Sequence, residues 1–357
     1  YTTEGGWYEC DKVRFRQGNP ESIGGWQRIS TATFLGICRS LWNWVTLGGL
    51  NLVGLGTNLK FYIEKGGSYN DITPLRTTTT LPANPFTGDG TTTVTVNATS
   101  HGAVTGDFVT FSGVTGAYAS LLNREFQLTV ISVNSYSITV ASAIPAGTTG
   151  GAAVSAAYQI NVGAATSVPL VGWGAGAWGA GTWGTGGTTL SPIRLWSQGN
   201  FGEDLIFGPR GGEIYYWDAT AGVSARGVAL SSLLGASDVP TIQNFIFISD
   251  INRFVFAMGC NDYGSAVQDP MLIRWSDQED AVNWTPAATN QAGSLRLSHG
   301  SEIVTAVQTR QEIVVFTDSS LYSLQYLEPP IVWGAQLLGD NISIVGQNAA
   351  TIASGVV

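Results

Sequence analysis

Charge is what this chain has least of. Lys, Arg, Asp and Glu make up 11% of its 357 residues, against roughly 25% in an average globular protein. The 16 basic residues are outnumbered by 25 acidic ones, for a formal net charge of −9. That balance leaves no basic patch to neutralise phosphate, which argues against tight nucleic-acid binding. Cysteine is limited to Cys10, Cys38 and Cys260. An odd count without metal-ligand spacing is a poor disulfide framework and a poor zinc site, and three reduced thiols are the simplest account. The two histidines, His101 and His299, each sit in Ser-His-Gly and read as polar turn residues. A G-x-S-x-G elbow and calcium-loop spacing are both missing. No catalytic residue, metal ligand or cofactor site is therefore expected. No apolar run reaches the ~18 residues of a membrane span. Long runs of Ala, Leu, Glu and Lys are absent too, and only one short helix, around 231–234, is conceivable.

What the chain does have is 46 glycines, many Thr and Ser, and 44% hydrophobic residues. That composition suits many short strands joined by tight turns around a sizeable core. The most unusual stretch is 168–190, VPLVGWGAGAWGAGTWGTGGTTL. Trp173, Trp178 and Trp183 recur every fifth residue, each followed by Gly. Glycine is too costly for a helix here and too small for a well-filled strand. The expectation is an ordered loop presenting three indoles. Either they tuck under their own domain or they form a subunit contact, since Trp suits a surface that becomes buried. The run satisfies G-x-G-x-x-G twice, at 174–179 and 179–184, but lacks the strand before and the helix after that a dinucleotide site requires.

In chain order, 12–16 reads as a half-buried strand before a Gly-Asn-Pro turn. Strands at 39–44, 50–56 and 60–64 follow as an antiparallel meander. Segment 77–163 changes character: all twelve Trp residues lie outside it, and its flanks are Thr/Pro-rich and Gly/Ala-rich. It reads as an inserted β-sandwich or small barrel with strands at 91–97, 107–112, 125–133, 136–141 and 153–162. The expected organisation is 1–76 and 164–357 as two parts of one β-propeller-like domain, with 77–163 inserted. The start at Tyr1 and the end at Val357 within an apolar stretch suggest a fragment of a longer or processed polypeptide.

The propeller reading rests on repetition. LNLVGLGTNLKFYIEK, DLIFGPRGGEIYYWD, RFVFAMGC…PMLIRWSD and EIVVFTDSSLYSLQY share an apolar strand, a polar turn and a strand ending in aromatics. They begin near 50, 204, 253 and 312, and the last two steps are about 50 and 60 residues. Removing the insert brings the first step close to these. Repeats of that length with several strands each indicate propeller blades; a plain β-sandwich is the alternative. The acidic run Asp277, Glu279, Asp280 ahead of Trp284 invites comparison with a sialidase Asp-box, but the Gly is absent and the spacing differs. A glycosidase would also need two juxtaposed carboxylates. Asp277, Glu279, Asp280 and Glu302 could supply them, and a solvated loop between blades is the simpler reading.

DKVRFRQGNPESIGGWQR, GLGTNLKFYIEKGGSYNDITP and RWSDQEDAVNWTP…FTDSSLYSLQY together resemble the tail nozzle or hub proteins of short-tailed bacteriophages, which stabilise packaged DNA. The Trp-Gly loop is similar to one in such sequences. The segment SHGAVTGDFVTFSGVTG…NREFQLTVISVNSYSITV resembles a β-module recurring in phage tail and fibre proteins. The resemblance covers nearly the whole chain. It implies an all-β, propeller-like structural subunit without enzymatic activity or cofactor. Such a subunit assembles in the host cytoplasm into a ring, by implication a hexamer, in the virion tail. It would sit below the portal and an adaptor protein and contact tail fibre, spike or needle proteins. Genomic DNA would pass through its lumen without tight binding, as acidic or neutral walls permit. Trp173, Trp178 and Trp183 are the candidate subunit-interface residues. The alternative is a glycan- or receptor-binding propeller of a phage tail, in which exposed Trp would stack on sugars.

Overall fold

The computed structural model of the chain describes residues 10–25, 30–163, 193 and 195–352. Among the described residues the protein is almost wholly β. It opens with a hairpin of β1 (Val13–Arg16) and β2 (Asn19–Ser22). The turn falls at Gln17 and Gly18, both with positive φ, as a two-residue hairpin loop requires. It does not fall at Gly-Asn-Pro. Pro20 pairs with Phe15 inside β2, a position open to proline because the strand is an edge.

Four antiparallel four-stranded sheets then form the propeller-like domain. Blade 1 contains β3 (Cys38–Val45), β4 (Asn51–Thr57), β5 (Phe61–Lys65) and β6 (Ser68–Asp71). The inserted segment follows: β7 (Leu75–Thr80), β8 (Phe86–Gly88), β9 (Thr93–Asn97), β10 (Phe108–Ser112), the single turn of helix α1 (Ala119–Leu122), β11 (Glu125–Ser132), β12 (Ser135–Thr139), β13 (Gly147–Thr149) and β14 (Ser155–Gln159). Blade 2 is β15 (Trp196–Phe201), β16 (Asp204–Pro209), β17 (Tyr215–Trp217) and β18 (Val228–Ala229). Blade 3 is β19 (Phe245–Ser249), β20 (Phe254–Met258), β21 (Leu272–Trp275) and β22 (Gly293–Arg296). Blade 4 is β23 (Ile303–Gln308), β24 (Ile313–Thr317), β25 (Ser320–Tyr326) and β26 (Trp333–Asp340). The four repeated motifs of the sequence supply the second and third strands of each blade. The short helix becomes one 3-10 turn at Leu230–Ser232.

The blades stack face to face through their first strands. β15 lies beside β3 on one side and β19 on the other, and β19 lies beside β23. Period-2 alternation gives each middle strand two different neighbours. In blade 2, Leu205 and Phe207 face blade 1, in a cluster with Trp44, Phe61, Ile63 and Trp196. Ile206, between them, faces blade 3 with Ile246, Val255 and Ala257. Blade 3 repeats the scheme: Phe254, Phe256 and Ile273 meet Ile313, Val315 and Tyr322 of blade 4. Rings set the spacing. Phe61 stacks on Phe207 at 4.2 Å and meets Trp196 edge-on at 4.9 Å, while Trp333 stands edge-on to Phe256 at 5.0 Å. Such pairs add about 0.5–1.5 kcal/mol to the burial itself. Gly56 is required for close approach, because a Cβ there would collide with the Trp196 indole.

The insert is one eight-stranded antiparallel sheet, ordered β13-β8-β9-β12-β11-β10-β14-β7, curled as a half-barrel. Its core, with Phe86, Val94, Val109, Phe111, Tyr136 and Tyr158 at the centre, contains no blade residue. The five strands read from sequence are present; β7, β8 and β13 are additional.

Candidate functional site

The acidic residues singled out in the sequence shape loops. Asp277 Oδ1 accepts from the backbone N–H groups of Gln278 and Gln291, both at 2.8 Å, and Asp280 Oδ1 accepts from Val282 N–H at 3.0 Å. Glu279 lies 3.8 Å from Arg253 at the surface, and Glu302 pairs with Arg210 of blade 2 at 3.2 Å. The run and Glu302 thus belong to separate settings. His101 is buried: its Nδ1 accepts from Ala103 N–H at 3.0 Å, so Nε2 donates to the Ser132 carbonyl at 2.9 Å. His299 is exposed, 3.7 Å from Asp340. Cys10 and Cys38 are exposed, whereas burial pushes the Cys260 thiol up to about 12. Among the described residues, no group of three or more His, Cys, Asp and Glu side chains is placed to hold a metal ion. No described helix is long and apolar enough to cross a membrane.

The densest polar cluster joins three parts of the chain. Lys60 follows the β4–β5 turn and is 97% buried as a side chain. Its Nζ sits 2.7 Å from Asp71 Oδ2 of blade 1 and 2.5 Å from Glu125 Oε2 of the insert. Arg226 of blade 2 reaches Asp71 at 3.4 Å and donates to the Thr73 carbonyl at 2.7 Å. Gln159, on β14, donates to both carboxylates. Two cations thus balance two anions, as buried charge requires. Burial pushes the Asp71 carboxyl up, but Lys60 and Arg226, with hydrogen bonds from Lys60 and Thr73, outweigh it and hold the group below its ordinary value. The local reason Lys60 points inward is its turn: Thr57 Oγ1 accepts from the N–H groups of Leu59 and Lys60. The arrangement keys the insert to blades 1 and 2. It was not legible beforehand, because Glu125 lies 65 residues from Lys60.

A second feature is the side of blade 1 left exposed among the described residues. Trp42 and Trp44 point toward blade 2, where their indole N–H groups donate to Asn200 Oδ1 and the Glu203 carbonyl. The opposite face carries Leu41 and Val45, which are 64% and 60% exposed. The segment before β3 covers this face only in part. Phe34 meets Tyr69 edge-on at 5.1 Å, while Leu35 and Ile37 stay exposed. At the other end of the stack, Leu327, Ile331 and Leu338 of blade 4 are exposed. Beyond β26 the chain turns inward. The Gln347 carbonyl accepts from Thr305 Oγ1 at 2.8 Å, and its amide donates to the Trp196 carbonyl at 3.1 Å. The signal in the sequence is partial: in CRSLWNWV, Leu41 and Val45 alternate with Arg39 and Asn43 on the side opposite Trp42 and Trp44.

Trp173, Trp178 and Trp183 lie outside the described residues. Val162 and Trp196, on either side of that stretch in the chain, share the core between blades 1 and 2, and the Trp196 indole donates to the Thr57 carbonyl at 2.6 Å.

No protein-family model matches the chain, and no curated protein matches it either. Among solved structures, phage phi92 endosialidase overlaps 86% of this chain and 48% of its own, at 13% identity and a TM-score of 0.25. The chain therefore spans about half the length of that protein, and a likeness this loose bears on neither activity nor partners.

Proposed function

We propose that the chain is a structural virion protein of a bacteriophage tail. In this reading it is a nozzle or hub subunit whose ring extends the DNA channel below the portal and adaptor, retaining the genome and conducting it at ejection. The observation that carries the reading is the stack of four blades in series, which among the described residues leaves Leu41 and Val45 of blade 1 exposed. Exposed contiguous apolar surface marks an interaction site. The resemblance of the DKVRFRQGNPES and RWSDQEDAVNWTP blocks to nozzle sequences supports the same role. Charge supports it as well. Residues 196–352 carry sixteen Asp and Glu against six Lys and Arg, a surface over which a duplex slides without capture.

Electron micrographs of the purified chain, paired with a duplex-DNA binding titration, test the proposal. Rings with an open lumen and no submicromolar DNA binding at physiological salt are expected. Single particles of one subunit that bind a glycan would instead establish the receptor-binding alternative and overturn the nozzle reading.

A further inference from the structure

The chain has three lysines. Lys12 and Lys65 are exposed, whereas Lys60 is buried between two carboxylates. Its Nζ lies 2.7 Å from Asp71 Oδ2 and 2.5 Å from Glu125 Oε2, with the ring of Phe108 over it at 4.6 Å. The two carboxylates are held differently. Asp71 Oδ1 accepts from the Thr73 N–H at 2.9 Å and from the Thr73 hydroxyl at 2.6 Å. Glu125 instead accepts from Lys60 at Oε2 and from the Gln159 amide at Oε1. Gln159 is 1% exposed, and among the described residues its own carbonyl oxygen is buried without a partner.

We propose that Lys60 and Asp71 are a self-modification site, joined by an intramolecular amide with Glu125 as the proton carrier. The ammonium first gives a proton to Asp71 Oδ2, leaving an amine beside a neutral carboxyl. The amine nitrogen then attacks Asp71 Cγ. The displaced electron pair goes to Oδ1, where the two Thr73 donors stabilise it as an oxyanion site does. Glu125 Oε2 takes a second proton from the nitrogen and passes it to the Oδ2 hydroxyl. The Cγ–Oδ2 bond breaks, water leaves, and Glu125 is again a carboxylate. Of the three ammonium protons, two end in the water and one on the amide nitrogen. No oxidant or reductant takes part. Placement favours the reaction, because Nζ already touches the carboxyl and little freedom is left to lose. The amide also removes one buried cation and one buried anion, whose desolvation counts against an ion pair. Gln159 suits both states: its amide donates to carboxylates and, turned over, its carbonyl oxygen accepts from protonated Glu125. Against burial, Lys60 and Arg226 hold Asp71 ionised. Arg226 still does so once Lys60 is neutral, which makes the conversion slow. Newly folded protein therefore carries the ion pair with its acid sensitivity, and aged protein carries the amide. Lys60 immediately precedes β5 and Asp71 ends β6, so the bond clamps the outer hairpin of blade 1 beside the insert. The chemistry is independent of whether copies of the chain form rings.

The test is the mass of the denatured chain, followed while the folded protein ages at neutral pH. Fresh wild type should match its sequence, and aged wild type should be lighter by one water. Tryptic digestion should then yield residues 40–65 joined to residues 66–76, with fragmentation placing the link between Lys60 and Asp71. Lys60→Arg and Asp71→Ala should keep the full mass, and Glu125→Gln should convert about a hundredfold or more slowly. Aged wild type at its full mass overturns the amide. A water loss that also appears in Lys60→Arg overturns it too, because one side chain then dehydrates alone. A link from Lys60 to Glu125 overturns the assignment of the two carboxylates, and unslowed conversion of Glu125→Gln removes Glu125 as the proton carrier. Should a variant's far-UV circular dichroism depart from that of wild type, the presence or absence of the linked peptide in wild type decides the proposal.

Discussion

The insert and the blades solve the same burial problem in opposite ways. The curled sheet of β7–β14 closes on its own core, with Phe86, Phe111 and Tyr136 at 0–1% exposure and no blade residue among them. A blade has no such interior. The side chains of β16 are divided between two neighbours, and a blade is finished only when both faces are covered. A module of the first kind is free to be inserted at a joint. A stack of the second kind leaves an outermost face wherever it does not close on itself, and among the described residues blade 1 exposes Leu41 and Val45.

Core truncation breaks this comparison most forcefully. Phe111→Ala should destabilise the insert, and Phe207→Ala the blade stack, by about 3–5 kcal/mol each. Calorimetry should show two transitions, with each substitution lowering one and sparing the other. A single transition lowered by both substitutions would mean that the insert and the blades fold as one unit.

The sequence carried the blade plan because the second hairpin of two blades is built on the same signal. In GTNLKF and FTDSSL, Thr57 and Thr317 each accept from two following N–H groups and donate to the carbonyl of the third residue on. Apolar runs on either side of such a turn are readable. The outer strands were not: SYND of β6, GSLR of β22 and WGAQLLGD of β26 are half-exposed edges without strict alternation. The first strand of blade 2, Trp196–Phe201, was no easier to read. Its Ser-Gln-Gly-Asn looks like a loop, yet Gly199 is where Ile248 of blade 3 comes close, 3.0 Å from the position of an added Cβ. The Lys60 cluster was hidden for a different reason: ion pairing across a domain joint leaves no local pattern.

That joint gives a smaller, pH-dependent effect. Lys60→Ala leaves Asp71 with Arg226, Thr73 and Gln159, and Glu125 with Gln159 and no cation, and should cost about 1–3 kcal/mol. Lys12→Ala, at an exposed pair, should change stability by less than about 0.5 kcal/mol. Because the folded pKa of Asp71 lies below its ordinary value, the stability it contributes is complete above about pH 4 and is lost as pH falls through the folded value. Acid titration of the wild type should weaken the joint in that range. An Asp71→Asn variant should lose this part of the pH dependence, and an unchanged acid profile would remove Asp71 from the account.

The smallest effect on the subunit itself is expected in the Trp-Gly stretch. Replacing Trp173, Trp178 and Trp183 together with Ala should leave monomer unfolding unchanged while weakening assembly or docking to a partner, since buried interfacial Trp anchors commonly contribute about 2 kcal/mol or more. Unfolding of the monomer by this triple change would make the three indoles part of its own core.

The most direct measurement of the central claim is electron microscopy of the purified chain across a range of protein concentration. The account predicts closed rings with an open lumen. Single subunits at every concentration would contradict it.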